Sequence, residues 1–268
     1  MKKSPETILK DVLSWSEGIP TVEHLMKFMK ETPEMCEFSK GSAVCFDTNF
    51  FKNFGKVGKF EEFIDYFSNI HTGPIILPSQ VVVEIWNNLV NFKQDYTSDF
   101  EKAVKQLDFV VEKIDISYLH LKTGASELVE KFKADFGFIL NPTVKANRSA
   151  FMGMLELKAH HSQVSREIYS SIAQSRKMSK IPPGFLDDRD GDFYVWAEFL
   201  LGLLTMKKNK SNFESAFVIT DDRKPDWSFN NSPHPVLSAE VKKIVGVPFG
   251  ILTIEQLVNK VDLLTSEL

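Results

Sequence analysis

Cysteine is scarce in this chain: there are two, Cys36 and Cys45, with neither a disulfide framework nor the spacing of a metal-thiolate site. Long apolar runs are missing as well. The most apolar stretch, residues 199–204, is far too short to span a bilayer, so no membrane partner is expected. MKKSPETILK is basic at its front, but no apolar core of a secretory signal follows. The expected compartment is a reducing cytoplasm. No Gly-rich phosphate loop of the Walker type is present, and no repeat or low-complexity tract appears. A net charge of −4 argues against a protein that coats nucleic acid through bulk charge.

What is present is ordinary globular material: 268 residues, 43% hydrophobic and 25% charged, enough for one large domain with a substantial core. Its charge is unevenly spread. Between positions 141 and 180, seven Lys/Arg stand against two acids, Glu156 and Glu167, so that segment is +5 and the remainder −9. Two readings follow: a solvated helix face, or a local basic wall suited to a phosphate backbone.

Residues 1–40 read as an N-terminal helical extension, two short helices broken at Gly18-Ile19-Pro20, with Thr21 placed to cap the second. From 41 to 268 the pattern is α/β. A buried strand at 44–46 is followed by an amphipathic helix over 60–70, then a short strand over 74–78 closed by proline. Ser79 caps a helix to about residue 91. Strand, helix, strand, helix with short links is the grammar of a parallel sheet covered by helices. A helical insertion is expected over about 99–180. IPPGF at 181–185 must be a loop, Asp192 opens an apolar helix, and strands are expected at 216–220 and 249–252 before a closing helix.

Acids recur at the ends of these elements. In AVCFDTNFF the apolar run stops on Asp47, and the strand at 216–220 stops on Asp221-Asp222. Ligands of open parallel sheets bind outside such carboxyl ends. Glu84 lies about a turn into its helix, on a polar stripe with Gln80 and Asn88, while Val81, Ile85 and Leu89 face the core. Asp192 stands where Phe193, Val195, Trp196 and Phe199 drive its helix inward. Singly, each acid has a local alternative: Asp47 and the Asp221-Asp222 pair as turn formers, Glu84 as a surface residue, Asp192 as a helix cap. If they converge, like charges about 4 Å apart repel by roughly 4 kcal/mol at an effective dielectric near 20. They must then be protonated, paired with bases, or bridged by a cation. Carboxylates without His or Cys are the ligand set of Mg²⁺ or Mn²⁺.

The ordered series VCFDTNFF, LPSQVVVEIWNNL, GDFYVWAEFL and FVITDDRKPDW resembles the PIN-like nuclease superfamily over roughly residues 42–260. IPPGFLDDRDGDFYVW and VITDDRKPDW resemble a bacterial branch with a Pro-Pro-Gly loop and a Thr-Asp-Asp-x-Lys-x-Asp-Trp stretch. The resemblance implies a three-layer α/β/α fold with a mainly parallel central sheet. It also implies cleavage of RNA, single-stranded or structured, by water activated on Mg²⁺ or Mn²⁺.

Its metal-binding acids fall on Asp47, Glu84, Asp192 and Asp222, with Asp221 an adjacent candidate. Asn49 and Thr220 would orient carboxylates. Asp187 and Asp188 are candidates for a second ion. Lys177, Lys180, Arg189, Arg223 and Lys224 are candidates for substrate phosphates. Phe50, Phe51 and Trp227 are either base-stacking groups or core. Bacterial members include toxins of toxin–antitoxin pairs and phage-defence effectors, which implies an antitoxin or regulatory partner, and related small domains form homodimers.

The long insertion departs from the short toxin members. His160-His161, expected on a helix, point about 100° apart there and read as surface. Rival readings are an inactive PIN-like scaffold or nucleic-acid-binding module, a DNA-directed nuclease, and a phosphotransferase with an Asp nucleophile. The last wants a second Asp where Asn49 stands.

Overall fold

The computed structural model of the chain describes residues 3–30, 36–53, 59–91, 96–136, 143–222, 224–229 and 232–266. Helices α1 (Pro5–Leu13) and α2 (Thr21–Met29) precede the sheet. Strand β1 (Ala43–Phe46) runs into α3 (Thr48–Asn53) and α4 (Phe60–Asp65), which widens into a π turn over Tyr66–Ile70. Strand β2 (Ile75–Pro78) feeds α5 (Ser79–Asn91). Helices α6 (Tyr96–Glu112) and α7 (Leu119–Phe136) then pack on each other. Next come α8 (Thr143–Lys158), β3 (Ala159–Ser162), α9 (Arg166–Met178) and α10 (Gly191–Lys208). The chain continues through β4 (Ala216–Ile219), a small antiparallel pair β5 (Ser228–Phe229) and β6 (Ser232–Pro233), α11 (Pro235–Val245), β7 (Phe249–Leu252) and α12 (Ile254–Ser266).

The main sheet has the order β3-β2-β1-β4-β7 and is parallel throughout. Its central strands are buried on both faces, which is why they read as unbroken apolar runs. Successive side chains alternate between faces. Ala43, Cys45, Ala216 and Val218 join a core with α1, α9, α10 and α11. Val44, Phe46, Phe217 and Ile219 join a second core with α4, α8 and α12. Those two cores make the expected three-layer α/β/α arrangement. Chain order reverses between β1 and β4, so a crevice opens beyond their carboxyl ends. Among the described residues, no helix is long and apolar enough to cross a membrane.

One expectation needs correction. The stretch 99–180 is not wholly helical: AHHS forms β3 and pairs in parallel with β2. His160 and His161 therefore point to opposite sheet faces rather than around a helix. The N-terminal extension contributes to the core. Leu9 and Leu13 of α1 are fully buried, and α1 packs on α10 and α11.

His71, just after the π turn, is 6% exposed and packed among Phe38, Tyr66 and Phe67. Burial pushes its imidazole down to about 4, Lys158 adding to the shift while the Ser42 backbone opposes it. The unfolded chain therefore binds the extra proton first as pH falls below about 6.5. Stability should drop between about pH 6.5 and about pH 4, by roughly 3 kcal/mol from this residue alone. Urea midpoints across that window test this: His71→Leu should flatten the acid limb, and an unchanged limb would assign it to other groups.

Candidate active site at the carboxyl edge of the sheet

β1 ends in Asp47 because strand pairing carries it there: its backbone N–H still donates to the Ile219 carbonyl of β4 at 3.0 Å. The side chain is 9% exposed and accepts the Thr220 hydroxyl at 2.8 Å, with help from the Thr48 and Asn49 backbone at the start of α3. Burial nevertheless raises its pKa, and the Glu84 charge adds to the rise. Glu84 is tied down at both oxygens, by the Thr48 hydroxyl at 2.7 Å and the Gln80 amide at 2.8 Å. A Cβ on Gly191 would lie 2.7 Å from Glu84 Oε1. Glycine in the Gly-Asp pair that opens α10 thus leaves the carboxylate of α5 room to lie against the helix carrying Asp192.

Behind Glu84 lies a group that the sequence reading missed. Glu198 on α10 is fully buried, accepts the Gln80 backbone N–H at 2.7 Å, and pairs with Arg166 at 3.2 Å. Arg166 also donates to the Gln80 side chain at 2.9 Å and stacks 3.8 Å from the Tyr194 ring. This network fixes Gln80, and Gln80 fixes Glu84.

The other half of the site is built by TDDRKPDW. Thr220 Oγ1 accepts the Asp222 backbone N–H at 3.0 Å, linking Asp47 to Asp222. Lys224 Nζ lies among three carboxylates: Asp187 at 2.8 Å, Asp222 at 3.0 Å and Asp192 at 3.4 Å. Asp192 also accepts the Trp227 indole N–H at 2.8 Å. Burial and the side-chain contact with Asp187 raise the Asp192 carboxyl to about 7, against the pull of Trp227 and Lys224. Asp187, although partly buried, is held below the carboxylate range by Lys224 and by that same contact. The two carboxyls are therefore pushed in opposite directions beside the ammonium. Asp226, fully buried, accepts the Gly184 backbone N–H at 2.9 Å and so clamps the Pro-Pro-Gly loop beneath Asp192. Gly184 has φ 87° and lies against Asp192, where a Cβ would fall 3.1 Å from its Cβ.

The remaining candidates divide. Asp221 Oδ1 accepts the Ile254 backbone N–H at 3.1 Å, at the start of α12, so Asp222 is the member of the pair beside Asp192 and Lys224. Asn49 is half-buried next to Asp47. Asp188, Arg189 and Lys180 are exposed, and Lys177 lies 3.6 Å from Asp190. Arg223 lies outside the described residues. Phe50 is fully buried and Trp227 3% exposed, so both are core side chains, while Phe51 packs against Phe50 and Phe151. The basic segment is not one solvated wall, because Arg176 turns inward to a fully buried Glu240.

The donor chemistry of the edge fits a hard divalent ion, being all carboxylate and hydroxyl oxygen. The arrangement is closed differently: among the described residues, no three His, Cys, Asp or Glu side chains form a metal-holding group. Pairing with a base, one of the three ways to tolerate converging acids, is the one observed.

A family model described as a PIN-like domain matches residues 150–240. That span runs from α8 into α11 and takes in Asp187, Asp192, Asp222, Lys224 and Trp227, but not Asp47 or Glu84. The match takes in about a third of the chain and supports a place in the PIN-like superfamily, with which the parallel sheet between two helical layers is consistent. PIN-like domains are usually hydrolases of nucleic acid and generally use divalent metals. No curated protein and no solved structure matches the chain.

Proposed function

We propose that the chain is a metal-dependent endoribonuclease in which Asp47, Glu84, Asp192 and Asp222 hold Mg²⁺ or Mn²⁺. One observation carries this reading. Acids from β1, α5, α10 and the β4 end are linked at the topological switch point, three of the pocket's carboxylates closing on a single cation. When bound, a divalent ion supplies Lewis-acid activation of water and neutralises charge at a phosphodiester. The chain's own groups do the positioning: Thr220 holds Asp47, Thr48 and Gln80 hold Glu84, and Trp227 holds Asp192. Lys177, Lys180 and Arg189, at the end of α9 and in the following loop, would take substrate phosphates in this reading, and Arg223 would do the same by its motif position.

RNA preference over DNA, and a role as a toxin or phage-defence effector restrained by an antitoxin or regulatory protein, rest on the resemblance to bacterial PIN-like proteins. So does a homodimer. A second reading has its own support: an ammonium among the carboxylates also suits an inactive module that binds nucleic acid without cutting it.

End-labelled single-stranded RNA and DNA of one sequence separate these readings. The proposal expects RNA cleavage with Mn²⁺, abolished by EDTA and by Asp47→Asn. Equal cutting by wild type and variant would mark a contaminant. RNA binding without cleavage under any divalent ion would establish the non-catalytic module.

A further inference from the structure

The proposed nuclease reading leaves one cation unexplained. Lys224 is not at the rim of the pocket, where a phosphate-binding lysine is expected, but among Asp187, Asp192 and Asp222. Its backbone is pinned: its N–H donates to Asp222 Oδ1 at 3.0 Å, and its carbonyl accepts the N–H groups of Trp227 and Ser228 at 3.0 and 3.1 Å. Pro225 follows. Only the four-carbon stem is free to move, and the side chain is 35% exposed, so it has a path to solvent.

The ammonium draws on oxygens of Asp192 and Asp222 that a divalent ion needs as ligands. A divalent ion on those oxygens would lie within a few ångströms of the ammonium and repel it, so the two cations compete for the same carboxylates.

We propose that Lys224 is a built-in counter-cation that competes with the metal: it closes the acidic pocket in the metal-free chain and must swing out for a divalent ion to load. Building on the nuclease reading, this makes metal loading a two-state event. The closed pocket is stable without an ion. The loaded pocket releases a lysine next to Asp222, on the side where substrate phosphate arrives. The Lys-x-Asp-Trp spacing then has three separate duties. Lys224 closes the pocket, Asp226 holds the Pro-Pro-Gly loop, and Trp227 keeps Asp192 in place while the lysine moves.

Mn²⁺ affinity, read from the free-ion electron paramagnetic resonance signal, tests the proposal without any substrate. Lys224→Met should tighten Mn²⁺ binding about tenfold, the scale of one charge-assisted contact no longer displaced. Lys177→Met removes an equal charge within electrostatic reach of Asp187 but outside the pocket, and should change affinity by less than about twofold. Lys224→Arg keeps the charge and guards against misfolding of the methionine variant; it should bind Mn²⁺ no more tightly than wild type.

Unchanged or weaker binding in Lys224→Met would overturn the proposal, as would equal tightening by Lys177→Met, which would mean a general field effect. Absence of Mn²⁺ binding in wild type and all variants would overturn the metal-dependent nuclease reading as well. That outcome is distinct from binding that is present but indifferent to Lys224.

Discussion

Asp192→Asn should lower RNA cleavage by about a thousandfold, equivalent to roughly 4 kcal/mol of lost transition-state stabilisation. The metal-free protein should keep its melting temperature. The physical reason is that burial and the contact with Asp187 already raise the Asp192 carboxyl to about 7, so its negative charge is disfavoured in the closed pocket. A neutral amide can still accept the Trp227 indole N–H. It cannot supply the negative charge a divalent ion requires. Asp47→Asn follows the same logic, since burial already raises that carboxyl and Thr220 remains as its partner. Paired measurements of kcat and thermal melting check both. A fall in activity with an equal collapse in melting would make these residues structural.

The second large effect is on stability. Arg176 donates to Glu240 at 2.6 and 3.3 Å and to the Leu13 carbonyl at 3.2 Å, and it also holds the Pro182 carbonyl. Glu240 accepts the Trp196 indole at 2.7 Å and that of Trp15 at 3.2 Å. One buried pair therefore joins α1, α9, α10, α11 and the loop entering the candidate site. Removing one partner strands the other charge without water, a cost of about 3–5 kcal/mol. For a chain of this size Arg176→Ala should lower the melting temperature by about 10 °C. Arg176→Met with Glu240→Leu removes both charges and should recover most of the loss. A single variant that melts like wild type would contradict the burial of this pair.

How legible these features were depended on whether the signal was local. β1, β2 and β4 announced themselves as short apolar runs, and their closing acids followed from the switch-point rule for parallel sheets. β3 did not. AHHS lies at the sheet edge with only Ser162 buried, so it shows neither a buried run nor alternation. Asp47, Asp192 and Asp222 could be singled out because each sits near the start or end of a periodic element, and Glu84 because it lies on a polar stripe about a turn into its helix. What Lys224, Asp226 and Arg166 do was illegible because the partners that define them are distant: Asp187 and Asp192 lie 37 and 32 residues from Lys224, Gly184 lies 42 from Asp226, and Gln80 lies 86 from Arg166. Arg176 was misread for the same reason: a charge in a basic run reads as solvated until its partner 64 residues on is in view.

The most direct measurement is anomalous diffraction from crystals grown with Mn²⁺. A peak bounded by Asp47, Glu84, Asp192 and Asp222, with the Lys224 ammonium withdrawn from Asp192 and Asp222, is the predicted result. A pocket still closed on Lys224 at saturating Mn²⁺, with the ion bound elsewhere or not at all, would contradict it.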